Sequence, residues 1–177
     1  MELVGKVEAV LDDQALMEAL NSTPVVDGQG QDLWRADHDV DGWARKHGGH
    51  GGEEERRWLR SARDALQAVE SGAAAESRLR RVLAGARRTP EPSAAGIVWH
   101  LDVAPERRLA VELVLAWADV KERMPGRLRP CENPECRLFL LDRSRANTAR
   151  WCSMKTCGNR LKARRHQART RETPRPD

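Results

Sequence analysis

The chain has 177 residues, of which 40% are hydrophobic and 33% are charged, and its formal net charge is +4. This length allows one or two domains with a modest core. The sequence contains no run of about 18 apolar residues, so we expect no transmembrane helix. Acidic residues interrupt the first apolar residues, so we expect no secretory signal and a cytoplasmic location.

The first 50 residues predict short helices separated by turn residues. Apolar side chains recur at helical spacing over residues 3–20, and the sequence Asn-Ser-Thr-Pro at 21–24 ends that helix. Residues 25–37 are predicted to form a loop. Asp39 is a candidate cap for a second helix, which ends at the glycine cluster 48–52. The histidines around this cluster, His38, His47 and His50, are interpreted as incidental rather than as metal ligands.

Clearer helical patterns follow. Residues 53–69 place their apolar side chains on one face and begin with three glutamates, and residues 74–86 predict another helix. The sequence Thr-Pro-Glu-Pro at 89–92 predicts a turn, and residues 97–101 predict a strand whose partner we cannot identify. Residues 105–124 form the most apolar helix, which Pro125 and Gly126 end. We place a domain boundary there, with a helical domain at 1–124 and a second domain at 125–177.

All four cysteines lie in the second domain, in two pairs with the same spacing. Cys131 and Cys136 are separated by four residues, as are Cys152 and Cys157. Four closely spaced thiols in a cytoplasmic protein predict a tetrahedral Zn²⁺ site. Because such a coordination sphere has no open position, the metal would be structural. Two disulfides in an exported protein, or an iron–sulfur cluster on the same thiols, are the alternatives.

Between the pairs, residues 137–142 resemble a strand, residues 142–147 a turn, and residues 149–152 a returning segment. We therefore predict a β-hairpin that brings the first pair back to the second, followed by a basic helix that contains Cys157 in its first turns. The overall fold class is mainly α: a helical N-terminal domain with a short β element, plus a C-terminal zinc finger with four cysteine ligands.

Positive charge is concentrated beside the cysteines. From Lys121 to Asp177 there are 16 Lys and Arg residues against 6 Asp and Glu, whereas the preceding residues hold 15 against 21. A basic tail on an acidic body favours a polyanionic partner, although a solubilising tail is the alternative. The candidate nucleic-acid contacts are Arg143, Arg145, Arg150, Lys155, Arg160, Lys162, Arg164, Arg165 and Arg169.

The sequence from Trp151 to Arg160, preceded by Cys131, Cys136 and the segment Leu-Phe-Leu-Leu-Asp at 138–142, resembles the CGNR zinc-finger family. That family is named for the four residues found here at 157–160. In the family, this finger follows an ABATE domain, whose opening pattern residues 20–22, 32–34 and Trp43 resemble. The resemblance implies a bacterial, stress-related transcription regulator in which Cys131, Cys136, Cys152 and Cys157 bind zinc. We interpret Asn21 as a cap, Asp32 as a turn residue and Trp43 as a core residue, rather than as a ligand site.

Three functions are compatible with these observations. The first is a DNA-binding transcription regulator, whose N-terminal domain senses a signal, forms a homodimer or contacts RNA polymerase. The second is a zinc module that docks on RNA polymerase, a sigma factor or another protein. RNA binding is a variant of the first, but Phe139 and Trp151 are the only aromatic residues near the cysteines. No catalytic motif with an ordered context is present, so an enzyme is not expected.

Overall fold

The computed structural model describes residues 11–159. The start of the helix predicted from residue 3 and the basic helix predicted from Arg160 onward lie outside the described residues. In the described part, five α-helices follow one another: α1 (Asp13–Leu20), α2 (Asp37–Lys46), α3 (Glu53–Glu70), α4 (Glu76–Leu83) and α5 (Pro105–Arg123). About 46% of the described residues are helical, which agrees with the mainly α class. None of these helices is long and apolar enough to cross a membrane.

Three antiparallel pairs of strands accompany these helices, two between helices and one after α5. They are β1 (Val25–Val26) with β2 (Gln29–Gly30), β3 (Arg87–Ser93) with β4 (Gly96–Asp102), and β5 (Leu128–Pro130) with β6 (Phe139–Leu141). The first pair lies inside the segment that the sequence predicted to be a loop. Its two-residue turn uses Asp27 and Gly28, both at positive φ, as a tight hairpin requires.

The turn predicted at residues 89–92 is wrong. These residues belong to β3, where Thr89 pairs with His100 and Pro90 pairs with Trp99. Every residue of β3 is exposed, and a two-stranded ribbon has only edge strands, so prolines without N–H groups are tolerated there. The reversal instead occurs at residues 94–95, where the Ser93 hydroxyl donates to Gly96 O at 2.9 Å.

The cap predicted at Asp39 is also wrong. Helix α2 begins two residues earlier, at Asp37, and its N-cap is Ala36, whose side chain makes no capping hydrogen bond. Asp37 and Asp39 both lie in the first turn, where their charge favours the positive end of the helix dipole. A side-chain N-cap is found instead at a different helix, α1, where Asp12 Oδ1 accepts the Ala15 N–H at 2.8 Å.

The core lies between α3 and α5. Leu59 and Leu66 of α3 and Leu109 and Leu113 of α5 are fully buried, and leucines of α1 join them. Each such leucine contributes about 1.5–3 kcal/mol by leaving water. We call residues 11–124 the helical body and residues 127–159 the finger. Leu128 and Phe139 of the finger belong to the same apolar cluster, so the finger packs against the body.

Candidate metal centre and nucleic-acid interface

The four cysteine sulfurs converge on one point. Their Sγ atoms all lie within 4.8 Å of one another, and Cys152 Sγ is 3.7 Å from both Cys136 Sγ and Cys157 Sγ. Four sulfurs at about 2.3 Å from a tetrahedral Zn²⁺ are about 3.8 Å apart. A disulfide requires about 2.05 Å, and all four cysteines are free, so the disulfide alternative is wrong. The cluster therefore has the dimensions of a single-ion site.

The first cysteine pair is held by the loop between β5 and β6. Cys131 directly follows β5, and its N–H donates to Leu138 O at 2.8 Å. The Cys136 N–H donates to Asn133 O, also at 2.8 Å, which closes a tight turn between the two ligands. This compact loop points both thiols to the same side.

The second pair is held by a helical turn. Cys157 lies in a π-helical turn, Met154–Gly158, in which the Gly158 N–H donates to Ser153 O at 3.0 Å. A Cβ atom at Gly158 would lie 2.7 Å from Met154 Sδ and 3.1 Å from the Trp151 ring. A larger residue after the last cysteine would therefore have to displace the flexible end of the Met154 side chain.

The hairpin in the finger is formed by a different pair of strands from the predicted one. Strand β6 pairs with β5, with Leu128 opposite Leu141 and Pro130 opposite Phe139, and not with residues 149–152. Leu128 is buried and continues the apolar surface of β6, whereas residues 143–148 are exposed. The strand before the first cysteine thus forms the hairpin, and the second cysteine pair returns through a loop.

Hydrogen bonds from N–H groups reach three of the four sulfurs. The Asn133 side-chain amide donates to Cys157 Sγ at 3.3 Å, the Leu138 N–H donates to Cys136 Sγ at 3.4 Å, and the Cys152 N–H donates to Cys131 Sγ at 3.4 Å. Asn133 is only 1% exposed. Such donors orient thiolates and reduce their excess negative charge, so they favour the deprotonated form that binds metal.

The thiol pKa values show why the cluster needs a cation. Burial raises the pKa of Cys136 to about 11, and burial together with neighbouring thiols raises that of Cys152 further. Burial also acts against ionisation of Cys157, but hydrogen bonds, first that from Asn133, lower its pKa overall. Four adjacent thiolates are unfavourable without a compensating charge. A bound Zn²⁺ supplies that charge and releases protons as it binds.

Two arginines and one aspartate order the loop between the cysteine pairs. The buried Asp142 carboxylate accepts the N–H groups of Ser144 and Ala149 and a guanidinium N–H of Arg129, each at 2.8 Å. Hydrogen bonds from Ser144 contribute most to lowering the pKa of Asp142 to about 2. Arg127 donates to Asp142 O and Ser144 O at 3.0 and 2.6 Å. These two arginines are therefore structural.

Four of the candidate nucleic-acid contacts lie in the described part, and all four are exposed. Arg143 pairs with Asp13 of the helical body at 2.9 Å, and Arg150 pairs with Glu132 at 2.5 Å while stacking on Trp151. The side chains of Arg145 and Lys155 have no hydrogen-bond or carboxylate partner among residues 11–159. The other five candidates, Arg160, Lys162, Arg164, Arg165 and Arg169, lie outside the described residues.

Asn21 joins the helical body to the finger. It forms the C-cap of α1, and its side chain accepts the Phe139 N–H at 2.7 Å and donates to Phe139 O at 3.2 Å. Asp32 accepts the Trp34 N–H within its own turn, and Trp43 is buried in the core. The interpretation of these three residues as cap, turn and core residues is confirmed, although the contact of Asn21 with the finger was not predicted.

Sequence reasoning missed three residues that support the metal centre: Asn133, Asp142 in its structural role, and Arg129. An Asn-Pro dipeptide between two closely spaced cysteines indicates a turn. It does not indicate that the Asn133 side chain reaches a sulfur 24 residues further along the chain. Likewise, a count of basic residues does not distinguish Arg129, which faces inward, from Arg145, which is exposed.

Two closely spaced cysteine pairs around one closed site define a zinc finger with four thiolate ligands. Residues 127–170 match the family described as CGNR zinc finger, and this segment includes all four cysteines. Cys131, Cys136, Cys152 and Cys157 therefore form a single Zn²⁺ site of the CGNR type. The match covers about a quarter of the chain. No curated protein matches the sequence significantly.

Proposed function

We propose that the protein is a DNA-binding transcription regulator whose finger contacts the duplex. The observation that carries this proposal is the position of Cys157. This ligand is buried in the zinc cluster, and the chain runs from it through Gly158 and Asn159 directly into the basic segment that begins at Arg160. Zinc binding thus fixes the point from which this segment starts.

The charges on the finger support a phosphate-bearing partner. Arg145 and Lys155 are exposed and have no carboxylate partner among the described residues. The ion pairs of Arg143 and Arg150 are on the surface, where such pairs contribute about 0–1 kcal/mol and are easily exchanged for phosphate. Arginine guanidinium groups can bind phosphate through two parallel hydrogen bonds.

In this proposal the helical body has the regulatory role. Its resemblance to an ABATE domain favours a role in sensing, dimerisation or contact with RNA polymerase. The closed coordination sphere suits a structural ion, and we expect the purified protein to have no hydrolytic activity. We place the protein in the cytoplasm, where reducing conditions keep the four thiols available to bind zinc.

DNA binding can be tested by fluorescence anisotropy with a labelled duplex over a range of salt concentrations. We expect affinity to fall steeply with salt, with a slope of roughly −0.9 per neutralised phosphate. Arg164→Ala/Arg165→Ala should weaken binding and reduce the slope by about 2. The matched control Arg87→Ala/Arg88→Ala, which removes the same charge from β3, should leave both unchanged. Binding that does not depend on salt, or equal losses in both variants, would refute the proposal.

One observation favours the second function, docking on a protein. Met154 is 51% exposed on the π-helical turn beside Trp151, and an exposed methionine is common at protein-binding surfaces. A tagged full-length protein can be recovered from nuclease-treated lysate. A stoichiometric protein partner that is lost on Met154→Ala but retained on Arg164→Ala/Arg165→Ala would support docking and replace the DNA proposal.

A further inference from the structure

A groove rich in arginine lies between α3 and α4, on the helical body. Arg56, Arg57 and Arg60 come from α3, and Arg78 and Arg81 come from α4. The groove has a volume of about 740 Å³. Three acidic residues, Asp37, Glu53 and Asp64, also line it, so the arginines are in excess. This local excess contrasts with the residues before Lys121, which together are acidic.

Two arginines on the α3 side are held in fixed positions. Arg56 donates to both oxygens of Asp41 at 3.0 and 2.9 Å. Arg60 pairs with Asp37 at 2.9 Å, and its Nε donates to Trp34 O, also at 2.9 Å. Guanidinium groups that are already fixed lose little conformational entropy when an anion binds.

The two arginines on the α4 side are not compensated. Arg78 and Arg81 are exposed, and neither side chain has a hydrogen-bond or carboxylate partner among residues 11–159. Helix α4 packs through Leu79 and Val82, so these arginines are not needed to hold it in place. Arg56, Arg57 and Arg60 are each paired with a carboxylate, of Asp41, Glu54 and Asp37 respectively. The uncompensated positive charge of the groove therefore lies on Arg78 and Arg81, and a bound anion would neutralise it.

We propose that this groove binds a small organic anion carrying at least two phosphate groups, of the nucleoside diphosphate class. The groove volume lies within the range of small-molecule sites, roughly 300–1,000 Å³. The unpaired guanidinium groups of Arg78 and Arg81 can each bind a phosphate through two parallel N–H donors. The acidic residues can accept hydrogen bonds from sugar hydroxyls, whereas they and the acidic body repel a long polyanion such as DNA.

Isothermal titration of the full-length, zinc-loaded protein tests this site, with ADP and inorganic pyrophosphate as ligands and adenosine as a control. Both phosphate ligands should bind, and adenosine should not. Arg78→Ala/Arg81→Ala should weaken both by roughly tenfold or more, because charged hydrogen bonds are lost. Arg87→Ala/Arg88→Ala and Arg164→Ala/Arg165→Ala should bind normally. The exposure of Arg78 and Arg81 predicts an unchanged melting temperature in their variant, which separates a binding defect from a folding defect.

Several outcomes would overturn the assignment. Absence of binding at millimolar ligand, or binding that Arg78→Ala/Arg81→Ala does not weaken, excludes this groove as the site. Loss of binding on Arg164→Ala/Arg165→Ala assigns the phosphate contacts to the finger instead. If Arg78→Ala/Arg81→Ala weakens duplex DNA binding while ADP and pyrophosphate fail to bind, the groove is a DNA contact and not a small-ligand site.

Discussion

The helical body buries leucines from α1, α3 and α5 in a continuous core, whereas the finger buries few apolar side chains. Within residues 127–159 the buried apolar residues other than cysteines are Leu128, Phe139 and Leu140. The finger instead depends on four sulfurs and on hydrogen bonds from Asn133, Arg127 and Arg129. The body is stabilised by removal of apolar surface from water, and the finger by metal coordination. Each region should therefore respond to a different perturbation.

Removal of zinc should show the difference between the two regions most clearly. Structural zinc contributes on the order of 10 kcal/mol at neutral pH to the folding of such fingers. A strong chelator should unfold the finger and change the fluorescence of Trp151, while helical circular dichroism from α1 to α5 is largely retained. Readdition of Zn²⁺ should reverse the change. Complete loss of the helical signal on chelation would show that the body also depends on the metal.

Leu113→Ala should have the opposite effect, because it should destabilise the helical body and leave the zinc site intact. Leu113 is fully buried in α5, so its truncation should lower the free energy of unfolding of the body by about 2–5 kcal/mol. Urea unfolding monitored by circular dichroism measures this loss, and elemental analysis should still find one zinc per chain. Leu33→Ala, at a position that is 51% exposed, should cost less than about 0.5 kcal/mol.

Asn133→Ala should weaken the metal centre and leave the body intact. The substitution removes the only side-chain N–H donor to Cys157 Sγ among the described residues. Loss of such a supporting contact typically lowers metal affinity by about 10–100-fold. Competition with a zinc-binding dye measures the affinity. Thr148→Ala, in the exposed loop of the same finger, serves as the control, and equal affinities for the two variants would contradict the proposed role of Asn133.

Asn21→Ala should have a smaller effect that reaches both regions. It leaves the Phe139 N–H and C=O without their partners, at a cost of about 1 kcal/mol at this half-buried position. Thermal unfolding should show a lower melting temperature, whereas Gln14→Ala on the exposed face of α1 should not. Asn21→Asp should be intermediate, since it can accept the Phe139 N–H but cannot donate to Phe139 O.

Sequence patterns predicted the helices and the cysteine cluster of this structure well. The spacing of the cysteines indicated the zinc site, and apolar periodicity placed the predicted helix 53–69 within one residue of α3. Pairing between distant segments could not be predicted, because periodicity carries no information about partners. The hairpin partner of β6 was therefore wrong, and Asn21 contacts Phe139 across 118 residues. The prolines of β3 misled the prediction because they are unfavourable in interior strands but acceptable in an exposed ribbon.

The hydrogen bond between Asn21 and Phe139 can report on the contact between the finger and the helical body. The Phe139 amide hydrogen is held by a side chain of the body, yet it belongs to a strand that directly follows a zinc ligand loop. Deuterium can replace this hydrogen only when its hydrogen bond to the Asn21 side chain opens. Its exchange rate in the presence and absence of Zn²⁺ would therefore show whether the state of the metal is transmitted to the helices.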